Sequence, residues 1–141
     1  YAVHFGEAEA ILADIYRRGI PEAVVNEHLQ GDLIKFYGVQ GTDFFYWFYP
    51  GPCSHSKFGL EKINGEAKGI PFNVSDLKKY SDMAAEVLNV PIYGGDCVVL
   101  PNGDVKIIDF NDWPSFARCR DEAGVKIAEC IYKRALKKLN K

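Results

Sequence analysis

The most constraining feature of the sequence is a turn signal, Asn102-Gly103, that lies between two apolar runs at 92–100 and 105–110. An Asn-Gly pair in this setting is the strongest short-range sign of a β-hairpin, because both residues accept the positive φ that tight turns require. Both runs contain Val and Ile, which favour strands. The sequence therefore predicts two antiparallel strands joined at this turn.

The register of the hairpin decides which polar residues face one another. A turn centred on Asn102-Gly103 places Asp96 directly opposite Asp109, whether the loop has two residues or four. Side chains alternate along a strand, so Asn111 is expected on the same face as Asp109. The same centre predicts two apolar pairs: Val98 with Ile107, and Leu100 with Val105.

The opposed carboxylates of Asp96 and Asp109 need a compensating positive charge. Directly opposed residues have Cβ atoms about 4.5–5.5 Å apart, a distance at which like charges are destabilising. Together with the Asn111 amide they form an all-oxygen donor set, which hard cations such as Mg²⁺ or Mn²⁺ prefer. Because protein-bound Mg²⁺ usually keeps phosphate and water ligands as well, we expect these residues to hold a cation that in turn holds phosphate.

Other arrangements fit the same residues. Asp96 and Asp109 could share one proton, or each could cap a nearby turn. A one-residue bulge, which Gly94-Gly95 would accommodate, would move Asp96 to the opposite face of the sheet. The spacing alone leaves these alternatives open.

The rest of the chain predicts an α+β fold, in which a mostly antiparallel sheet packs against helices. Apolar periodicity indicates helices at 6–18, 75–88 and 121–141, with Ser75 as the N-cap of the second. Alternating or β-branched runs indicate strands at 22–29, 32–39 and 43–49 in addition to the hairpin.

Two segments have an unusual composition. The strand at 43–49 is aromatic almost throughout, which favours burial on both of its faces. The segment 50–72 is rich in Gly, Pro and Lys and has no sustained period. Such a segment is either a binding loop or a mobile surface loop.

Composition and charge exclude several classes of partner. The 141 residues, 48% hydrophobic and 26% charged, suit one globular domain or one large part of a domain. The net charge of −2 gives no electrostatic reason to expect nucleic acid or an anionic membrane. No apolar run approaches the ~20 residues that span a bilayer. The four cysteines lack C-x-x-C spacing and the three histidines are scattered, which favours reduced thiols in a cytoplasmic protein and argues against a histidine metal site.

Two segments together resemble the C-terminal half of the ATP-grasp superfamily. Members of that superfamily carry an acid near the start of one late strand, and the next strand ends in acid-x-Asn, as in "GGD…IIDFNDWPSF" here. Upstream, "VVNEHLQGDLIKFYGV" is similar to the inter-lobe hinge and the strand with a basic residue that follows it. The resemblance covers 24–116 and is greatest to the inositol-trisphosphate 5/6-kinase branch and the ribosomal-protein-modifying ligase branch.

The resemblance implies a role for each matching residue. Asp96, Asp109 and Asn111 would bind Mg²⁺ or Mn²⁺ that bridges the phosphates of ATP. The remaining implied contacts are adenine for the hinge residues Glu27, His28 and Leu29, ribose for Asp32, and phosphate or an anionic substrate for Lys35. In the segment after Asn111, Arg118 or Arg120 could hold an acidic acceptor group. Alternatively, Glu27 and Asp32 are ordinary surface charges, and Lys35 is a solvated strand residue without a ligand. Trp113 and Phe116 are expected to pack against the last helix.

The resemblance also implies a division of the chain and a function. Residues 1–21 would be a remnant helix of the smaller ATP-grasp lobe, which is otherwise largely absent, and 22–141 the C-terminal lobe. The implied activity is an ATP- and Mg²⁺-dependent ligase that activates a small-molecule or peptide carboxylate as an acyl phosphate, and full activity is not expected from this chain alone. The alternatives are a small-molecule kinase and, in another class, a non-catalytic binding module that uses 43–49. The sequence leaves the oligomeric state open, a homo-oligomer included.

Overall fold

The computed structural model of the protein describes residues 1–51 and 65–140. Over these residues the fold is α+β, with a four-stranded antiparallel sheet in the order β2-β1-β3-β4 and three helices. The elements in chain order are α1 (Phe5–Arg17), β1 (Asp32–Val39), β2 (Phe45–Phe48), α2 (Val74–Leu88), β3 (Ile92–Val99), β4 (Val105–Asp112) and α3 (Arg120–Leu139). The predicted α+β class is confirmed.

One face of the sheet is sealed by α2. Alternate residues of β1 and β3 point to this face, and Leu77 and Ala85 of α2 pack against them. The N-terminal end of α2 is capped by Asn73, whose Oδ1 accepts hydrogen bonds from the backbone N–H groups of Ser75 at 2.9 Å and Asp76 at 3.4 Å. The cap therefore lies two residues before Ser75, the predicted position. The buried residues of this cluster are Ile34, Phe36, Leu77, Ala85, Tyr93, Cys97 and Val99.

The opposite face is covered by α3 at one end only. Ala123 and Cys130 of α3 form a second buried cluster with Val39 and Phe44. Phe116 packs against this cluster as predicted, whereas the Trp113 side chain is 63% exposed. Part of the remaining surface of this face carries polar side chains that stay partly or fully exposed, and the candidate site lies there.

The hairpin turn differs in length from the prediction. The loop has three residues, 101–103, because Leu100 N–H donates to the Asp104 carbonyl and Gly103 N–H donates to the Leu100 carbonyl, each at 2.8 Å. Gly103 has a φ of 85°, the left-handed conformation that closes this kind of loop. Val99 therefore pairs with Val105 and Cys97 with Ile107, and the predicted pairs Leu100–Val105 and Val98–Ile107 are wrong.

The predicted strand at 22–29 is also wrong. Residues 20–30 have no regular secondary structure, and the side chains of Val24 and Val25 are 87% and 74% exposed. β-branched residues favour a strand only when a neighbouring strand and a packed face are available, and these two have neither among the described residues.

Helix α1 lies at the periphery of the described structure. It begins and ends within one residue of the predicted helix, but none of its residues is buried. Phe5 and Tyr16 are 79% and 74% exposed. Within the described residues, no helix has the length and apolarity needed to cross a bilayer. The segment 52–64, which includes most of the predicted loop together with Cys53 and His55, lies outside the described residues, as does Lys141.

Candidate metal and phosphate site

Three neighbouring strands place charged side chains in one row on the partly open face. In the sheet register, Asp96 of β3 is directly paired with Lys35 of β1 on one side and with Asp109 of β4 on the other. Directly paired residues in an antiparallel sheet share a face. The predicted pairing of Asp96 with Asp109 is therefore confirmed.

A β-bulge brings Asp109 into this row. Between the pairs Cys97–Ile107 and Asp96–Asp109, β4 contains one extra residue, Ile108. Without it the odd-length loop would place Ile108 opposite Asp96 and turn Asp109 to the face covered by α2. The bulge thus lies in β4, not at Gly94-Gly95, and it keeps the two acids together instead of separating them.

Lys35 already provides one positive charge to the row. Its Nζ lies 2.7 Å from Asp96 Oδ1, and the two side chains are 34% and 23% exposed. Partial burial weakens solvent screening of this ion pair relative to a fully exposed one. Lys35, predicted as a phosphate or substrate ligand, is thus brought into contact with a predicted metal ligand.

Asn111 lies beside Asp109 but presents its nitrogen. The Asn111 Nδ2 donates a hydrogen bond of 2.6 Å to Asp109 Oδ2, and both side chains are exposed. A cation bound by both residues requires the amide to rotate so that its oxygen faces the carboxylate. Because both side chains are exposed, this rotation disturbs no packed group.

The donor set fits a hard divalent cation of the kind that accompanies nucleotides. In the described part of the chain, no group of three or more His, Cys, Asp or Glu side chains could hold a metal ion. The row offers two carboxylates and one amide, so a cation here would need further oxygens from phosphate and water. One or two carboxylates completed by substrate phosphates is the usual environment of Mg²⁺ in phosphoryl-transfer enzymes.

Arg118 reaches the other end of the same row. Its guanidinium carbon lies 4.4 Å above the centroid of the Phe48 ring, a cation–π contact. Phe48 is directly paired with Lys35, so it shares the face of the charged row. The predicted acceptor ligand Arg118 and the predicted phosphate ligand Lys35 therefore lie on one face of the sheet.

Tyr37 also lies on this face, although it is not part of either sequence motif. It is two residues from Lys35 on β1, and its ring contacts Phe48 and Phe116 at centroid distances of 5.7 and 5.3 Å. Burial raises the pKa of its hydroxyl; Lys35 and Arg118 oppose this effect, whereas Cys119 and Asp96 add to it. The strand alternation that starts at Lys35 is the sequence signal that identifies it.

Gly94 lets Tyr37 and Pro114 approach each other at one side of the row. A Cβ atom at position 94 would lie 2.6 Å from Tyr37 Cδ1 and 2.7 Å from Pro114 Cγ, both closer than real Cβ contacts allow. The Tyr37 and Pro114 side chains therefore cover Gly94. Asn111 is the residue paired with Gly94 on β4, so both side chains lie next to it.

The hinge residues lie apart from the row. Asp32 is 2% exposed, and its two carboxylate oxygens accept the backbone N–H groups of Lys68 and Ile70, each at 2.8 Å. Since Asp32 and Lys35 are three residues apart on one strand, their side chains point to opposite faces. In the structure the Asp32 carboxylate thus anchors 68–70 and does not share the face of Lys35.

Of the other hinge residues, His28 lines a separate cavity. The His28 ring contacts Tyr1 edge-on with the centroids 4.9 Å apart, Leu29 is half-buried, and Glu27 is exposed. His28 and Asp32 line a cavity of about 390 Å³ together with Gln30, Gly31, Lys68, Ile70, Tyr1 and Pro101.

Comparison of the chain with protein-family models, curated proteins and solved structures found no match. The ATP-grasp resemblance consequently stays a prediction from the two sequence segments that carry it.

Proposed function

We propose that this chain carries the metal- and phosphate-binding part of an ATP-grasp-type enzyme, an ATP- and Mg²⁺-dependent ligase that activates a carboxylate. The observation that supports this proposal best is the direct pairing of Asp96 with Asp109 on a partly open face of the sheet. A single-residue bulge maintains that pairing although it places two like charges together, which the one Lys35 ammonium beside Asp96 offsets only in part.

Each residue of the row would have a defined task. A bound divalent cation would offset the charge of the transferring phosphoryl group. Asp96 and Asp109 would hold that cation together with the Asn111 amide, and Lys35 would approach the phosphate oxygens. Arg118 would orient the acceptor carboxylate, whose oxygen attacks the γ-phosphorus as ADP leaves. An amine or another nucleophile then attacks the carbonyl carbon of the acyl phosphate, and inorganic phosphate leaves as the new acyl bond forms.

A kinase would use the same row. Transfer to a hydroxyl needs the same charge stabilisation and positioning, so the metal ligands do not separate the two activities. The products do: an acyl phosphate is trapped by hydroxylamine as a hydroxamate, whereas a phosphate ester is not.

The binding-module alternative has less support because the aromatic strand is already packed. All four residues of β2 are half-buried. Trp47 contacts Phe72 and Phe45 contacts Phe36, with centroid distances of 4.9 and 6.0 Å, while Tyr46 and Phe48 contact Tyr37 on the other face. These rings bury one another and offer little free aromatic surface.

The test is calorimetric titration of Mg·ATP into the protein and into two matched variants. Asp109→Asn removes one carboxylate of the row. Asp112→Asn makes the same change on the same strand, but Asp112 is paired with Tyr93 on the opposite face. We expect Asp109→Asn to weaken Mg·ATP binding at least tenfold, which is about 1.4 kcal/mol, and Asp112→Asn to leave it unchanged. Equal affinities for the protein and Asp109→Asn would remove Asp109 from the site.

A further inference from the structure

We infer that Lys35 is the internal counter-ion of the carboxylate pair and makes the site selective for a metal–polyphosphate complex over the free metal ion. The inference rests on the proposed function and specifies which form of the ligand the site accepts.

Lys35 competes for an atom that a metal ion would use. Its Nζ lies 2.7 Å from Asp96 Oδ1. Asp96 in turn lies between Lys35 and Asp109 in the register of three adjacent strands. A cation that binds Asp96 through this oxygen would lie next to the ammonium group, and the repulsion between the two positive charges favours displacement of the ammonium.

The cost of that displacement depends on what arrives with the cation. A free divalent ion brings no negative charge, so the displaced ammonium is left close to a second positive charge. A polyphosphate bound to the same ion brings several anionic oxygens, and these offer the ammonium a new partner. Both ion-pair partners are about two-thirds buried or more, so water replaces this interaction only in part.

The surroundings of Lys35 favour the same behaviour. On the side away from Asp96, its direct neighbour in the sheet is Phe48, which holds the Arg118 guanidinium above its ring at 4.4 Å. The space on that side already contains a cation, so the carboxylate and an incoming anion are the available partners for the ammonium. Lys35 would thus bind Asp96 until a polyphosphate arrives.

The experiment compares binding of MgCl₂ alone with binding of Mg·ATP, by calorimetry, in the protein and in Lys35→Met. Lys78→Met is the matched control. Lys78 also pairs with an aspartate, Asp82 at 2.5 Å, and these side chains are 25% and 29% exposed on α2, across the sheet from the row. We expect Lys35→Met to bind free Mg²⁺ about tenfold more tightly and Mg·ATP at least tenfold more weakly than the protein. Lys78→Met should change neither affinity.

A second variant, Lys35→Arg, distinguishes the loss of the positive charge from a general effect of replacing the Lys35 side chain, such as misfolding. Lys35→Arg keeps the positive charge and should retain the weak binding of free Mg²⁺. If the protein binds Mg·ATP but Lys35→Met shows no gain for free Mg²⁺ over the protein or over Lys35→Arg, the counter-ion inference is wrong and the proposed function stands. If neither Mg²⁺ nor Mg·ATP binds to the protein or to any variant, both are wrong.

Discussion

Asp96 experiences opposite charges from its two neighbours in the sheet. Lys35 attracts it across one strand boundary at 2.7 Å, and Asp109 is paired with it across the other. Neutralising Asp96 therefore removes an attraction and a repulsion together. Neutralising Asp109 removes the repulsion, weakens the exposed hydrogen bond that Asn111 Nδ2 donates to it, and leaves the Lys35 ion pair intact.

This asymmetry predicts different stabilities for two similar variants in buffer that contains EDTA. We expect Asp109→Asn to raise the free energy of unfolding by about 0.5 kcal/mol, within the range measured for cross-strand pairs. Asp96→Asn should change the free energy of unfolding by less. It removes the stabilising ion pair with Lys35 as well as the repulsion from Asp109, and the two are worth about the same. Urea denaturation measures both values. A lower stability for Asp109→Asn than for Asp96→Asn would contradict the account of the row.

The hairpin shows how far an element can be predicted from its residues. Asn102-Gly103 predicts a turn because few dipeptides accept its backbone angles, but the loop length depends on how the flanking carbonyl and N–H groups pair. That pairing gave an odd loop, which shifts the register by one. The bulge at Ile108 shifts the register back by one residue. The predicted pairs near the turn are therefore wrong, whereas the predicted pair of Asp96 with Asp109 is correct. Local sequence does not specify which residue of a strand stays unpaired.

Two glycines with positive φ provide a test of the turn geometry. Gly103 has φ 85° and a Cβ there would lie 2.9 Å from the Pro71 carbonyl oxygen, whereas Gly41 has φ 76° and nothing within 4 Å. We expect Gly41→Ala to destabilise the protein by about 1 kcal/mol through backbone strain alone. Gly103→Ala should cost about 1 kcal/mol more, because the neighbouring carbonyl must move. Thermal and urea unfolding measure the difference, and equal costs would mean that the turn does not pack against Pro71.

At the scale of the whole molecule, the two faces of the sheet have different tasks. The α2 face is sealed, whereas α3 covers only part of the other face and leaves the row of Lys35, Asp96 and Asp109 partly exposed. The sequence predicts the helices and most of the strands, since their periodicity is local. It does not predict that Arg118 would reach Phe48, because that contact depends on how the chain after β4 returns across the sheet. Nor does it predict the orientation of the Asn111 amide.

In the proposed site, Asp96 and Asp109 hold one divalent cation between them. The most direct measurement is paramagnetic broadening of backbone amide signals in ¹⁵N-labelled protein when Mn²⁺ and ATP are added together. We predict that broadening is strongest at Asp96 and at 109–111, is weaker on helix α2 across the sheet, and is lost in Asp109→Asn. Broadening centred on another part of the chain, or unchanged by Asp109→Asn, would contradict this placement of the cation.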